Sequence, residues 1–269
     1  MEQMRIANKT VTLWLPEGAC ASSAADVLCA ELTRFGSAYD PALSSVRHGE
    51  LPTGTRPAKP ALPHALPLVY LNHYDGDGRE VWEACDRLGC PAFALTVISG
   101  LDWNHELSPW ECDGTVRDAE PFAGGAATYL DELLGEIVPA VEHRLPAAPA
   151  WRGIAGYSLA GLFALWSLWR TSAFTRAASA SGSLWFPGFV ERAGEEPFAG
   201  SVEAAYLSLG KKETRTPNRM MRHVLEDTQR MEELLCSRDI PCTFELNPGN
   251  HFSQTDERMA RGIAWILKA

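Results

Sequence analysis

Residues 151–169 read WRGIAGYSLAGLFALWSLW, and this stretch decides how the chain folds. The run from Trp151 to Ala155 favours a short strand, and the apolar run from Leu162 to Trp169 favours a buried helix. Ser158 therefore falls on the turn between a strand and a helix. Such a turn exposes a serine hydroxyl and aims backbone N–H groups at the charge that develops on a substrate oxygen. The stretch predicts an α/β unit with Ser158 as candidate nucleophile.

The triplet Gly156-Tyr157-Ser158 carries little weight by itself, because a Gly-x-Ser string occurs by chance about once in a chain of this length. Its setting between a strand-like and a helix-like run gives it more. The alternative interpretation is structural, since serine is a good helix N-cap and glycine allows a helix to pack closely on a strand. The usual nucleophile turn is Gly-x-Ser-x-Gly, whereas this chain has Ala160 followed by Gly161.

Composition indicates a folded α/β protein with a substantial core. The chain has 269 residues, of which 46% are hydrophobic. We expect a single domain over residues 1–269, with an irregular excursion at about residues 51–66, where prolines are frequent. The formal net charge of -10 and the lack of a basic run argue against nucleic acid as a partner.

The cysteines and the apolar runs bear on the compartment. None of the 7 cysteines forms a Cys-x-x-Cys pair, so neither a disulfide framework nor a zinc ribbon is suggested. Residues 1–10 lack the hydrophobic core of a signal peptide, and no apolar run approaches the roughly 20 residues of a membrane span. We expect a soluble cytoplasmic protein with reduced thiols and no membrane partner.

Strand-like and helix-like runs alternate along the chain. Predicted strands cover Thr10 to Leu15, Leu68 to Asn72, Ala92 to Ile98, Trp151 to Ala155, Arg176 to Ala180, Ala204 to Leu209 and Cys242 to Leu246. Predicted helices cover Arg79 to Leu88, Ala126 to Val141, Leu162 to Trp169, Met221 to Leu235 and Ala260 to Leu267. This alternation predicts the α/β class, with a mostly parallel central sheet and helices on both faces. Ligands of such sheets bind beyond the carboxyl ends of the strands.

His251 is the candidate general base. It lies in the loop at residues 247–252, NPGNHF, between the last predicted strand and the last predicted helix. Imidazole titrates near neutral pH, so it can take the serine proton and later return it to a leaving group. A surface or capping histidine is the alternative, but only His251 combines this kind of loop with the order serine, acid, histidine.

Glu213 is the candidate acid. It ends the string Gly210-Lys211-Lys212-Glu213, just past a predicted strand, where a carboxylate can hold the imidazole tautomer and stabilise the imidazolium. The alternative is a solvated charge beside two lysines. Glu226 and Asp227 are less suitable because they fall within a predicted helix.

The predicted oxyanion hole consists of two backbone N–H groups, one from Leu159 after the nucleophile and one from Tyr74 in the loop after an early strand. The same loop contains the string Asp75-Gly76-Asp77-Gly78, which is typical of calcium loops. The remaining ligands of a calcium loop do not follow at their spacing: Trp82 stands at the eighth place, and Asp86 at the twelfth. We expect no metal and no cofactor.

Aromatic and polar residues near these loops are candidates for binding substrate. They are Tyr157, Trp103, Asn104 and Trp185. Tryptophan and tyrosine are as often part of the core as of a pocket wall, so a packing role is the alternative for each aromatic residue.

Together these segments resemble the putative esterase family of α/β-hydrolases, which includes enterochelin-type siderophore esterases, feruloyl esterases, S-formylglutathione hydrolases and mycolyltransferases. The resemblance covers about residues 66–269 and rests on six segments: residues 69–76 (VYLNHYDG), 107–109 (LSP), 156–161 (GYSLAG), 180–183 (ASGS), 210–213 (GKKE) and 249–251 (GNH). It implies the α/β-hydrolase fold and a serine hydrolase that cleaves carboxylic ester or thioester bonds through an acyl-enzyme. Ser158, His251 and Glu213 would be nucleophile, base and acid, although some siderophore-branch relatives use a Ser-His dyad.

Three functions stay open at this point. The first is a serine esterase, of the siderophore type or otherwise, acting on a small-molecule ester. The second is an acyltransferase of the same fold, and the third is a catalytically silent binding protein, suggested by Ala160 in the nucleophile turn. The oligomeric state is also open, with a homodimer as one alternative.

Overall fold

The computed structural model describes residues 1–19, 65–113 and 120–269. Most of the proline-rich excursion predicted at about residues 51–66 lies outside the described residues, as do Cys20 and Cys29. The described cysteines are free, and the Sγ atoms of Cys236 and Cys242 are 3.0 Å apart. Within the described ranges, no helix has the length and apolar character needed to cross a membrane.

The described elements alternate as the sequence predicts. The strands are β1 (Glu2–Ile6), β2 (Lys9–Trp14), β3 (Leu68–Asn72), β4 (Ala94–Ser99), β5 (Glu111–Cys112), β6 (Phe122–Ala123), β7 (Arg152–Tyr157), β8 (Arg176–Ala180), β9 (Ala204–Gly210) and β10 (Cys242–Asn247). The helices are α1 (Arg79–Arg87), α2 (Trp103–Glu106), α3 (Ala126–Glu132), α4 (Val138–Glu142), α5 (Leu159–Ser167), α6 (Phe189–Glu195), α7 (Val224–Ser237) and α8 (Thr255–Lys268). A π-turn (Leu133–Ile137) joins α3 to α4, and a 3₁₀ turn (Met221–His223) precedes α7.

Eight strands form one sheet in the order β1-β2-β4-β3-β7-β8-β9-β10. The strands from β4 to β10 in this order pair in parallel, while β2 runs antiparallel to both β1 and β4. The carboxyl ends of β3, β7, β8, β9 and β10 therefore lie along one edge. The predicted α/β class with a mostly parallel sheet is confirmed.

Helices cover both faces of this sheet. Successive side chains of a strand point to opposite faces, and in β3 Tyr70 joins one buried apolar cluster while Val69 and Leu71 join the other. The first cluster contains buried residues of α3, α4, α5, α6 and α7, and the second contains those of α1 and α8. Because both faces are buried, β3 is apolar without alternation, as its sequence indicated.

The structure corrects several sequence predictions. Strand β1 was missed because it is a short edge strand in which only Met4 and Ile6 are apolar, too few to give a clear alternating pattern. Helix α8 begins at Thr255 rather than Ala260, because its first turn is polar. The continuous helix predicted from Ala126 to Val141 contains the π-turn, and Pro139 follows it. Proline lacks an N–H and clashes with the carbonyl four residues earlier, and a wider turn accommodates both effects.

The close contact between β7 and α5 requires glycine at position 156. A Cβ atom built on Gly156 would lie 2.3 Å from the carbonyl carbon and oxygen of Ala160. Any side chain there would push the helix away from the strand and displace the turn that carries Ser158. Glycine at this position is therefore a packing requirement.

We predict that Gly156→Ala lowers the free energy of unfolding by about 3 kcal/mol, because backbone atoms of α5 must move to admit one methyl group. Gly194→Ala is the matched control, since nothing lies within 4 Å of a Cβ at that helical position. The control should be neutral or slightly stabilising. Urea denaturation of both variants checks this, and equal midpoints would contradict the packing argument.

Candidate active site

Ser158 occupies a strained turn between β7 and α5, with φ 59° and ψ −120°. A non-glycine residue rarely adopts positive φ, so the surrounding structure must hold it there. Ser158 N–H donates to the carbonyl of Ala180 (3.0 Å), and its own carbonyl accepts from Ser183 N–H (3.0 Å) and Gly161 N–H (3.0 Å). These bonds fix the turn from both sides and direct the hydroxyl toward the sheet edge.

His251 lies next to that hydroxyl. The loop between β10 and α8 carries it, and Nε2 is 3.0 Å from Ser158 Oγ while Nδ1 is 2.7 Å from Glu213 Oε2. An ionised carboxylate can only accept, so Nδ1 carries the proton and Nε2 is left to accept from the serine hydroxyl. The three side chains that the sequence suggested thus form a continuous hydrogen-bonded series.

Glu213 lies in a turn after β9, with its side chain 5% exposed. Oε1 accepts from Ser181 Oγ (2.6 Å) and from Gly210 N–H (2.6 Å). Burial alone would raise the pKa of this carboxyl group. The hydrogen bonds and the charge of His251 outweigh burial, so the pKa lies below its ordinary value and the group is ionised.

Arg258 of α8 is a member of this site that the sequence interpretation missed. Its side chain is fully buried, and Nη2 donates to Glu213 Oε1 at 3.1 Å and also to Ser181 Oγ. Nη1 donates to Tyr157 Oη at 2.7 Å and to the carbonyl of Asn250 at 3.3 Å. Its spacing in the sequence could have revealed it, because a residue four positions before Gly262 lies on the same buried face of α8.

Tyr157 links the turn that carries Ser158 to the loop of His251. Its hydroxyl donates to the backbone carbonyl of His251 at 2.7 Å, and its ring lies against the imidazole at a centroid distance of 5.4 Å. Burial raises the pKa of Tyr157, which keeps the hydroxyl protonated as a donor. The residue also lines a cavity beside Ser158.

Two cavities meet at Ser158 and His251, which line both. The first, of about 590 Å³, contains Tyr74 and Trp103, whose rings meet edge to face at 5.2 Å. The second, of about 280 Å³, contains Trp185. Three of the predicted substrate-binding residues, Tyr157, Trp103 and Trp185, thus lie beside Ser158.

Asn104 lies outside both linings, and its amide donates to the carbonyl of Glu120 at 3.3 Å. Its predicted role in binding substrate has no support from its position.

The two residues predicted to form the oxyanion hole, Leu159 and Tyr74, differ in their surroundings. Leu159 is the first residue of α5, where backbone N–H groups have no partner within the helix. Tyr74 is 74% exposed at the rim of the larger cavity. The fully buried Asn72 lines the same cavity; its Oδ1 accepts from Tyr129, while its Nδ2 has no hydrogen-bond partner in the described part of the chain.

The string at residues 75–78 builds a turn. Asp75 Oδ1 accepts from Gly76 N–H (2.7 Å), and Asp77 Oδ1 accepts from Arg79 N–H (3.0 Å) before α1 begins. Both carboxylates are thereby engaged with their own loop. Among the residues that the structure describes, no group of three or more His, Cys, Asp or Glu side chains is arranged to hold a metal ion.

Known proteins resemble this chain in fold and sequence. The IroE-like serine hydrolase from Shewanella oneidensis matches with a TM-score of 0.67 at 17% identity, covering 99% of this chain and 80% of that one. The siderophore hydrolase EstA from Aspergillus nidulans matches with a TM-score of 0.57 at 21% identity, covering 76% of this chain and 83% of that one. The uncharacterized protein YbbA of Bacillus subtilis is 26% identical over 217 residues, or 75% of this chain and 85% of that protein.

The fold is therefore that of the α/β-hydrolases. A family model described as putative esterase matches residues 79–237, which is more than half of the chain. The chain belongs to the putative esterase family and is a carboxylic ester hydrolase.

We predict strong energetic coupling between Arg258 and Glu213. Arg258→Met should lower the free energy of unfolding by about 3–5 kcal/mol, because it leaves a buried carboxylate without its cation. Glu213→Gln in the same chain should recover about 1–3 kcal/mol of that loss. A double-mutant cycle by chemical denaturation measures the coupling.

The matched control for this cycle is the exposed pair Arg87 and Glu257, with side chains 57% and 41% exposed. Arg87→Met and Glu257→Gln should couple by less than about 1 kcal/mol. Additive losses at Arg258 and Glu213 would contradict an interaction between them.

We also predict that Glu213 contributes to acid sensitivity. Its folded-state pKa lies below the ordinary 4.5, so its contribution to stability is complete above pH 4.5 and is lost as the pH falls through the folded-state pKa. Glu213→Gln should flatten the fall in the free energy of unfolding below pH 4.5, whereas Glu195→Gln on the exposed face of α6 should leave the slope unchanged. Identical slopes in all three proteins would refute this assignment.

Proposed function

We propose that Ser158, His251 and Glu213 are a catalytic triad that hydrolyses carboxylic esters through an acyl-enzyme. The observation that carries the proposal is the series of hydrogen bonds from Ser158 Oγ to His251 Nε2 (3.0 Å) and from His251 Nδ1 to Glu213 Oε2 (2.7 Å). Nucleophile, base and orienting acid lie within hydrogen-bond reach, as this chemistry requires.

In the first half-reaction, His251 Nε2 takes the proton of Ser158 Oγ as that oxygen bonds to the ester carbonyl carbon. The carbonyl oxygen becomes negative and accepts from the N–H of Leu159 at the start of α5, where the helix dipole adds stabilisation. The intermediate then collapses: the bond to the alcohol oxygen breaks, and His251 gives its proton to the departing alcohol. Acyl-Ser158 remains.

In the second half-reaction, water replaces the alcohol. His251 takes one proton of the water as its oxygen attacks the acyl carbon, and returns that proton to Ser158 Oγ as the carboxylic acid leaves. Glu213 keeps the proton on Nδ1 and stabilises the imidazolium in both steps. Arg258 Nη2 donates to Glu213 Oε1 at 3.1 Å, so a positive charge stays beside the buried carboxylate when the imidazole is neutral.

The two cavities support a substrate with one group on each side of the ester. The larger one has aromatic walls formed by Tyr74, Trp103, Tyr157 and Phe252, which suit an aromatic ring. Two proteins of the same fold carry the names IroE-like serine hydrolase and siderophore hydrolase. We therefore propose an ester that carries an aromatic group, with siderophore esters as candidate substrates.

A fluorophosphonate probe should label wild-type protein, and Ser158→Ala should abolish the label. The same variant should lower kcat for a p-nitrophenyl ester about 10⁴-fold or more, because the nucleophile is gone. Glu213→Gln should cost on the order of 10²- to 10⁴-fold, since the base keeps its place beside the serine but loses its orienting charge.

Ser183→Ala is the matched control, because Ser183 Oγ lies 3.4 Å from Ser158 Oγ in the same cavity. The Ser183→Ala protein should still be labelled with one fluorophosphonate probe per chain. Labelling that survives Ser158→Ala, or turnover that does not depend on Ser158, would exclude the proposed triad.

A further inference from the structure

The two cavities that meet at Ser158 differ in charge. Asp75 and Asp256 line the larger one, and Asp256 pairs with His73 at 3.7 Å. Lys212 and Arg215 line the smaller one. The other ionisable groups that line this cavity are His251 and Glu213, and the buried carboxylate of Glu213 already forms an ion pair with Arg258. The smaller cavity thus presents two uncompensated positive charges in a chain of net charge -10.

The turn that carries Glu213 also positions these two cations. Lys212 N–H donates to the carbonyl of Gly249 at 3.0 Å, which ties the turn to the loop of His251. Arg215 N–H donates to the carbonyl of Lys212 at 3.0 Å, so both residues belong to one closed turn. Glu213 points inward to the imidazole, while its neighbours Lys212 and Arg215 are exposed at the cavity rim.

Neither cation has an ion-pair partner among the described residues. The same cavity is also lined by Trp185, Met221 and Val224, which make a large part of its wall apolar. This arrangement fits a short apolar spacer that runs from the ester to a negative group at the rim. A guanidinium and an ammonium that line one cavity suit a carboxylate, because arginine binds both of its oxygens and lysine adds a point charge.

We propose that the cavity lined by Lys212 and Arg215 is an anion subsite that selects esters carrying a carboxylate on the group bound there. This inference rests on the proposed esterase function and specifies its substrate class. The ester oxygen lies at Ser158, the spacer packs against Trp185, and the carboxylate reaches Lys212 and Arg215. The acidic lining of the larger cavity disfavours the opposite orientation.

The test compares ester pairs that differ only in one charge. In the first series the anion is on the acyl side: p-nitrophenyl hemiesters of glutaric and adipic acid against the same esters with a terminal primary amide. In the second series it is on the alcohol side: 3-acetoxybenzoate against 3-acetoxybenzamide. The measured quantity is the ratio of kcat/KM for carboxylate over amide, in wild type, Lys212→Ala, Arg215→Ala and the double variant.

Wild-type protein should prefer the carboxylate about tenfold in one of the two series, which identifies the arm bound in the smaller cavity. Each single variant should lower the ratio about two- to fivefold, and the double variant should bring it close to one. Added salt should lower the wild-type ratio as well. Lys211→Ala is the matched control, because Lys211 is exposed on the same turn but does not line the cavity.

Binding to Ser158→Ala separates this proposal from the esterase proposal. In this variant the esters are not cleaved, and calorimetry should show that the carboxylate member of a pair binds more tightly than the amide member. Adding Lys212→Ala and Arg215→Ala to the same chain should remove this difference in affinity. Turnover of all esters with a ratio near one in both series, unchanged by the variants, would overturn the anion subsite and leave the esterase intact. Absence of all turnover would overturn the esterase, and the binding comparison would still decide the anion subsite.

Discussion

The burial of one carboxylate, Glu213, is the constraint on which the site depends. A charged group with its side chain 5% exposed is costly unless hydrogen bonds and an opposite charge surround it. Ser181 and Gly210 supply donors from the ends of β8 and β9, and Arg258 brings its charge from α8. The same carboxylate then fixes the tautomer of His251. The hydrogen bonds and the ion pair of Glu213 therefore hold β8, β9, α8 and the loop of His251 in one arrangement.

Arg258 extends this arrangement to the turn that carries Ser158. Its contact with Tyr157 Oη reaches the residue before Ser158, and Tyr157 in turn holds the backbone of His251. Serine and histidine come from separate loops, yet they are tied to the same buried guanidinium. The positive φ of Ser158 is maintained because Gly156 allows α5 to rest directly on β7. Packing and polar contacts thus act on the same turn.

Local pattern and chain order were sufficient to predict several of the elements that position the candidate site. The strand-turn-helix around Ser158, and carboxylate and imidazole positions just beyond later strands, follow from apolar runs and loop residues. Strand β1 was not predicted, since a short edge strand with only Met4 and Ile6 apolar gives too little pattern. The role of Asn104 in binding substrate stays a prediction, because its amide donates to the carbonyl of Glu120 and it lines neither cavity. Arg258 was missed because its meaning depends on a carboxylate 45 residues earlier in the chain, a pairing that only the folded sheet creates.

We propose that Ser158 attacks an ester and that the developing oxyanion is received at the start of α5. A crystal structure of the protein after reaction with an aryl phosphonate tests this most directly. We expect phosphorus bonded to Ser158 Oγ, the phosphonyl oxygen about 3 Å from the N–H of Leu159, and His251 still paired with Glu213. Phosphorus on another residue, or a phosphonyl oxygen directed away from α5, would contradict it.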